Sequence, residues 1–194
     1  MNHAYLLAGG RSRRFGSDKA RVLIQGIPLA RFLADDLEQL GWRVAVVAQR
    51  VSDYDDLGLP VVADIHPDGG PLAGLLTALG DCQSSGSLCG LIVNCDLIPR
   101  TWDWLGPAHQ RWRDGPSSIV VLRSDPFMPM PGLYAATILD VATRLWQEGK
   151  RSLRDVHEEL RGSIASLDWP IDKLPRSFNT PEELQNILDE ETNR

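Results

Sequence analysis

A mostly parallel, doubly wound α/β sheet is what the sequence predicts. Short apolar runs rich in β-branched residues alternate with stretches of helical periodicity, and Gly, Pro, Asn and Asp punctuate the junctions. The length of 194 residues adds a third constraint. A domain takes about 100 to 200 residues, so one core and a single domain, residues 1–194, are expected.

Residues 3–8 read as a short buried strand that stops at Gly9 and Gly10, where a loop begins. From Pro28 onward, Leu29, Leu33, Leu37 and Leu40 recur at helical spacing and Gly41 follows, the usual order of a helix start and stop. The runs RVAVVA (43–48) and PVVA (60–63) are strands joined by a polar, Asp-rich connection. Between Gly70 and Gly80, Pro71 sits at a helix start and Leu72, Leu75, Leu76 and Leu79 form one stripe. LCGLIVN (88–94) is a further strand, ended by Asn94 and Asp96 and closed by Pro99.

A helix containing Trp102, Leu105 and Trp112 follows despite Gly106 and Pro107, and SIVVL (118–122) returns as a strand. Pro126, Pro129 and Pro131 then interrupt the chain as a substrate-side excursion before 132–135 resumes an extended pattern. Ile138, Val141, Ala142 and Leu145 mark a helix, residues 152–160 another, and 164–167 an edge strand. The last helix has Thr180 as N-cap, Pro181 in the first position and Glu183 completing a capping box. The sum is a Rossmann-like alternation with no internal repeat.

Charge and cysteine usage exclude several classes. A net charge of -6, from 20 basic and 26 acidic side chains, gives no general pull toward nucleic acid or anionic lipid. Yet Arg11, Arg13, Arg14, Lys19 and Arg21 crowd one short segment, a candidate anion site. Cys82, Cys89 and Cys95 form no C-x-x-C pair, and an odd number cannot close into a full intrachain disulfide set. With no signal-peptide pattern at the N-terminus and no run near the roughly 18 apolar residues of a membrane helix, a cytoplasmic protein without a membrane partner is expected. His3, His66, His109 and His157 lack metal-ligand spacing, the cysteines are too scattered for zinc, and no G-x-S-x-G elbow is present.

Three loops carry chemistry. The first, LLAGGRSRRFGSDKA (6–20), leaves a strand and supplies glycines, arginines and a lysine. It is not a Walker loop, because Ala20 follows Lys19, and Gly9-Gly10 followed by Gly16 does not give G-x-G-x-x-G. Gly9 and Gly10 let a base and phosphates approach main-chain N–H groups, while Arg14 and Lys19 neutralise a triphosphate as a planar fork and a point charge. The plain alternative is a solvated basic turn, and the position after the first strand argues against it. The second loop is Asn94-Cys95-Asp96, a carboxylate at a strand's carboxyl end that suits magnesium shared with phosphate oxygens. A turn residue or helix cap is its bland counterpart. The third is Asp64 with Gly69-Gly70-Pro71-Leu72-Ala73-Gly74, which either contacts nucleotide or metal at a helix start or is an ordinary connection.

These stretches resemble the molybdenum cofactor guanylyltransferases. LAGGRSRRFGSDKA is similar to that family's signature L-A-G-G-x-S-x-R-M-G-x-D-K-A, with Phe15 in place of Met. ADIHPDGGPLAGL (63–75), NCDLIP (94–99), EGKRSL (148–153) and FNTPEEL (178–184) resemble its later segments. The resemblance implies a nucleotide-diphospho-sugar transferase-like fold and transfer of GMP from GTP to the terminal phosphate of Mo-molybdopterin with magnesium. It implies that Leu7, Ala8, Gly9 and Gly10 line the guanine site, Lys19 binds phosphates, Asp64 contacts nucleotide and Asp96 holds the metal; Arg14 and Asn179 are further carry-overs. Cytidylyltransferases of the same fold show L-A-A-G and lack the D-K ending, so Gly9 and Asp18 lean toward GTP. Molybdopterin-biosynthesis proteins or apo-molybdoenzymes are the protein partners it implies, and a non-catalytic cofactor-delivery module is the rival reading. Ala48 and Gln49 stand where the family has an Asn, the proline of the Asp96 loop is displaced, and Met130 replaces a His before Pro131.

Overall fold

The computed structural model describes residues 2–8, 15 and 18–192. In chain order the strands are β1 (His3–Leu7), β2 (Leu23–Ile24), β3 (Ile27–Pro28), β4 (Arg43–Ala48), β5 (Val61–Ala63), β6 (Cys89–Asn94), β7 (Leu97–Ile98), β8 (Ile119–Leu122), β9 (Gly132–Ala135), β10 (Ile164–Leu167) and β11 (Arg176–Ser177). The helices are α1 (Leu29–Gln39), α2 (Pro71–Ser84), α3 (Leu105–Asp114), α4 (Leu139–Gln147), α5 (Leu153–Glu159) and α6 (Pro181–Thr192).

A seven-stranded sheet of order β10-β8-β9-β6-β1-β4-β5 forms the centre. Only β9 runs against the others, pairing antiparallel with both β6 and β8. β1 lies at the hinge of the winding: parallel β4 is on one side and parallel β6 on the other. The chain fills the sheet outward from β1 to β4 and β5, then returns to start the other half at β6. The carboxyl ends of β1 and β6 therefore flank the topological switch point, where open α/β sheets bind ligands.

Side-chain alternation along β1 makes the two faces. Ala4 and Leu6 join the core under α1, α3 and α6, built around Leu29, Leu33, Trp104 and Phe178. Tyr5 packs into the opposite core with Leu72, Leu75 and Leu79 of α2, Ala142 and Leu145 of α4 and Val156 of α5. A strand covered on both faces needs apolar residues at successive positions, which is why β1, β4 and β6 read as continuous hydrophobic runs.

Several boundaries differ from the sequence expectation. α2 passes through Gly80 and ends at Ser84, because burial of Leu79 and Cys82 outweighs the roughly 1 kcal/mol that an interior glycine costs; the chain turns at Gly86, φ +73°. Trp102 precedes α3 and Trp104 stands at its N-cap, fully buried. The segment before α1 contains a two-stranded hairpin, β2–β3, whose turn residues Gln25 (φ 52°) and Gly26 (φ +85°) adopt the left-handed conformations a two-residue turn of this twist requires. β7 and β11 form a separate antiparallel pair. Cys82, Cys89 and Cys95 are free and buried. No helix among the described residues is long and apolar enough to cross a membrane.

Candidate active site

Lys19 enters the site on a short turn, Lys19–Arg21, capped by Asp18, whose Oδ1 accepts the Ala20 N–H at 3.0 Å. The buried Tyr54 hydroxyl donates to Asp18 Oδ2 at 2.8 Å, so the cap is fixed from a second element; burial and that carboxylate push the phenol well above its ordinary range. The Lys19 ammonium donates to the Phe178 carbonyl (2.7 Å), to Asn179 Oδ1 (3.3 Å) and to Asp96 Oδ2 (3.4 Å). It also stands 5.3 Å from the Phe178 ring centre. An ammonium has three protons, and each has a protein acceptor. The Asp96 contact is the longest, and is the one a phosphate oxygen can most easily replace.

Asp96 reaches this position through the sheet. β1 and β6 pair with Leu7 opposite Asn94, and the Cys95 N–H donates to the Leu7 carbonyl at 3.3 Å, carrying the parallel register past the end of β6. Next, β7 pairs with β11, Leu97 opposite Ser177, and the Phe178 N–H donates to the Asp96 carbonyl at 3.0 Å. This ribbon sets Phe178 and Asn179 beside Asp96. Asn179 is held in turn by α6: its N–H donates to the Glu183 carboxylate at 2.5 Å, while Thr180 Oγ1 accepts the Glu183 N–H at 3.2 Å. The expected capping box thus forms with its acidic arm one residue further back. The helix cap and the site are one structure.

The Asp96 carboxylate is unevenly satisfied. Oδ2 faces Lys19, whereas Oδ1 is buried and accepts no hydrogen bond from the described residues. A bare buried carboxylate oxygen is costly in a folded chain and has the hard-donor chemistry that magnesium selects. Among the described residues no cluster of three or more His, Cys, Asp or Glu could cage a metal. Asp96 therefore fits a magnesium ion whose remaining ligands are substrate oxygens and water, the usual arrangement for this ion.

Asp64 sits differently. It follows β5, three strands from β6 in the same sheet, and three interstrand spacings amount to on the order of 14 Å. Its Oδ1 accepts the His66 N–H (2.9 Å) and the Thr77 hydroxyl (3.1 Å), tying the strand end to α2. The α2 start is closed as well. Pro71 has no N–H, and the Leu72 N–H donates to the Arg151 carbonyl at 3.2 Å, so the glycine-rich helix start offers no open set of donors there.

Leu7 and Ala8 end β1 between these two carboxylates. The Ala8 N–H donates to the Val47 carbonyl at 3.0 Å, and Leu7 packs against Gly74, where a Cβ would meet Leu7 Cδ1 at 3.2 Å. Gly9, Gly10 and Arg14 lie outside the described residues. Tyr54, Asp18 and the Phe178 carbonyl were not singled out as site groups from sequence. Asp18 carried a signal in the D-K ending, but a main-chain acceptor carries none.

The prolines between β8 and β9 lie at the same sheet edge, since Gly132 pairs with Ile92 and Val121. Tyr134 fastens that excursion: its hydroxyl lies 2.5 Å from the Pro129 carbonyl and 2.8 Å from His157 Nε2. The phenol has one proton. Donating it to Pro129 requires His157 to donate from Nε2, which leaves Nδ1 as the buried atom without a partner among the described residues. Burial holds the His157 imidazole down to a pKa of about 4, so it is neutral near pH 7.

Comparison with known proteins bears on the family and the fold. Residues 4–164 match the MobA-like NTP transferase domain. A probable molybdenum cofactor guanylyltransferase from Opitutus terrae is 31% identical over 150 residues, covering 77% of this chain and 74% of its own length. The crystal structure of molybdopterin-guanine dinucleotide biosynthesis protein A from Archaeoglobus fulgidus superposes with a TM-score of 0.76 at 19% identity, covering 99% of this chain and all of that one. A putative glucose-1-phosphate thymidylyltransferase from Bacillus anthracis shares the fold, with a TM-score of 0.71 at 13% identity and coverage of 97% and 94%. With four-fifths of its length inside the match and a relative of that similarity, this chain belongs to the MobA-like NTP transferase family.

Proposed function

We propose that this protein transfers GMP from GTP to the terminal phosphate of Mo-molybdopterin, releasing pyrophosphate and forming the molybdopterin guanine dinucleotide cofactor. The observation that carries the reading is the meeting of Lys19 and Asp96 at the carboxyl ends of β1 and β6, inside a chain of this family. An acceptor phosphate oxygen attacks the α-phosphorus, a new P–O bond forms, and the bond from the α-phosphorus to the bridging oxygen breaks. The electron pair leaves with pyrophosphate. No protein nucleophile is required, because a phosphate held in line is nucleophile enough.

The protein's part is position and charge. Lys19 exchanges its long bond to Asp96 for a phosphate oxygen and keeps its anchor on the Phe178 carbonyl, so its charge stays fixed while negative charge moves onto the leaving group. Asn179 limits the ammonium to that direction. Arg14 supplies a second cation, and Leu7, Ala8, Gly9 and Gly10 receive the guanine. Asp64, on the far side of β1 from Asp96, faces the nucleoside end. Asp96 Oδ1 would hold a magnesium ion, which would supply neutralisation of phosphate oxygens.

The chain works as one domain in the cytoplasm, with Mo-molybdopterin supplied by a molybdopterin-biosynthesis protein and product passed to an apo-molybdoenzyme. The test incubates purified protein with magnesium, Mo-molybdopterin and each nucleoside triphosphate, and identifies the product by mass. The guanine dinucleotide with stoichiometric pyrophosphate is expected. A cytosine dinucleotide would make the protein a cytidylyltransferase, and tight cofactor binding with no pyrophosphate would make it a delivery module.

A further inference from the structure

The loop that carries Asp64 is gripped by residues from far along the chain. His66 stacks on the Trp146 indole, ring centroids 4.5 Å apart and planes 13° from parallel. The Arg151 guanidinium carbon lies 3.7 Å from the centre of the same ring system. Arg151 is oriented there by its own turn, Nη1 donating to the carbonyls of Trp146 (3.0 Å) and Lys150 (2.6 Å). Its main-chain carbonyl is the acceptor that caps α2 at the Leu72 N–H. Gly69 lies flat against the indole edge: a Cβ there would stand 2.5 Å from Trp146 Cη2 and 2.8 Å from the His66 carbonyl oxygen.

Packing of α4 does not require this arrangement. Ala142 and Leu145 already bury its inner face, whereas Trp146 is half-buried at the edge of that core and its stacking partners are an imidazole and a guanidinium. The contacts instead fasten both ends of the stretch from Asp64 to Leu72. Asp64 is tied to Thr77 of α2, and α2 supports the end of β1 through Gly74 against Leu7. A shift of this loop therefore moves Asp64 and the α2 start together, relative to Leu7.

We propose that Trp146 is a positioning residue for nucleotide binding: clasped by His66 and Arg151, it holds residues 64–72 where Asp64 and the end of β1 can receive the nucleoside. The proposal rests on the nucleotide-binding reading given above. It assigns Trp146 no contact with the reacting atoms, so its effect falls on affinity and not on the chemical step.

The test uses the full chain with Trp146→Leu, which keeps apolar bulk, and Trp146→Phe, which keeps a stacking ring. Amide hydrogen exchange over residues 64–72 is read without ligand, and affinity for each of the four common nucleoside triphosphates with magnesium is read by calorimetry. Trp146→Leu is expected to accelerate exchange in this segment and to weaken nucleotide binding, each by about tenfold, with kcat within about twofold, while Trp146→Phe recovers both to within about threefold of the parent. Should Trp146→Leu not fold, His66→Ala removes the stacked imidazole without touching the core, and the same two readings decide. Unchanged exchange, faster exchange with unchanged affinity, or equal losses in the Leu and Phe variants would each overturn the proposal. A parent protein that prefers CTP overturns only the guanine assignment, since the variants are then compared on CTP; one that binds no nucleotide overturns both.

Discussion

Asp64 and Asp96 occupy matching places in the secondary structure, each just past the carboxyl end of a parallel strand, β5 and β6 respectively. Their surroundings differ in kind. Asp64 spends one oxygen on its own loop and on Thr77, so its carboxylate already holds the β5–α2 junction together. Asp96 shares one oxygen with Lys19 over a long 3.4 Å contact and buries the other with no partner among the described residues. A carboxylate satisfied by the protein contributes stability. One left partly bare is tolerated in a fold because something else binds it, and sites of this kind are where local rules are broken.

The sharpest way to break this contrast is to remove each carboxylate and measure activity and stability separately. Asp96→Ala should lower transfer by at least about a thousandfold, from the loss of the metal and of charge stabilisation, yet leave the unfolding free energy within about 1 kcal/mol, because it deletes only one long 3.4 Å contact and Lys19 keeps the Phe178 carbonyl and Asn179. Substantial turnover in that variant, measured by pyrophosphate release, would defeat the metal assignment. Lys19→Ala should follow, with kcat/KM down by roughly a hundredfold to a thousandfold. Arginine at 19 should not restore it, since a planar fork cannot take the three divergent acceptors that one ammonium satisfies.

Asp64→Ala should show the opposite balance, losing about 1 to 2 kcal/mol of stability with the Thr77 and His66 bonds. Thr77→Val separates its two roles: the carboxylate stays while the hydroxyl that links it and the Ile65 N–H to α2 goes, so denaturation should register the change and nucleotide affinity should fall less than in Asp64→Ala. If calorimetry finds affinity falling equally in both variants, Asp64 acts only through the loop.

A further test, which touches stability alone and not activity, asks whether every buried orphan atom marks a ligand. His157 Nδ1 is also buried without a partner among the described residues, but Tyr134 and the Phe127 ring, steeply inclined to it, pack against that imidazole. It is read as structural. Its folded pKa of about 4 lies below the ordinary 6.5, so between those values the unfolded chain binds more protons and stability falls as pH falls. The loss is absent above pH 6.5 and reaches at most about 3 kcal/mol near pH 4. Thermal unfolding from pH 7 to 4 should reveal it, and His157→Gln should flatten that part of the profile.

Much of this architecture was legible from local pattern. β4 has the predicted limits, the strands at 3–8 and 88–94 were off by one residue at an end, and Pro71 and Thr180 marked helix starts correctly, because apolar period and capping chemistry act within a few residues. The misses were of another sort. β7 and β11 are two residues each and exist only as each other's partner, so neither has a periodicity to detect. β9 looked like any strand, and its reversed direction comes from the proline excursion before it, which returns the chain to the edge it had just left.

By itself, the sequence determined the alternation of elements, the two apolar faces of the sheet and the list of groups with phosphate and metal chemistry, since those depend on residue type and short spacing. Only the tertiary structure decided which of those groups meet. Lys19, Asp96 and Asn179 converge because the β1–β6 register and the β7–β11 pairing bring three distant segments to one edge, and Asp64 is left on the other side of β1 by the strand order. Strand order and register are set by packing over the whole sheet, a long-range balance that no window of residues contains.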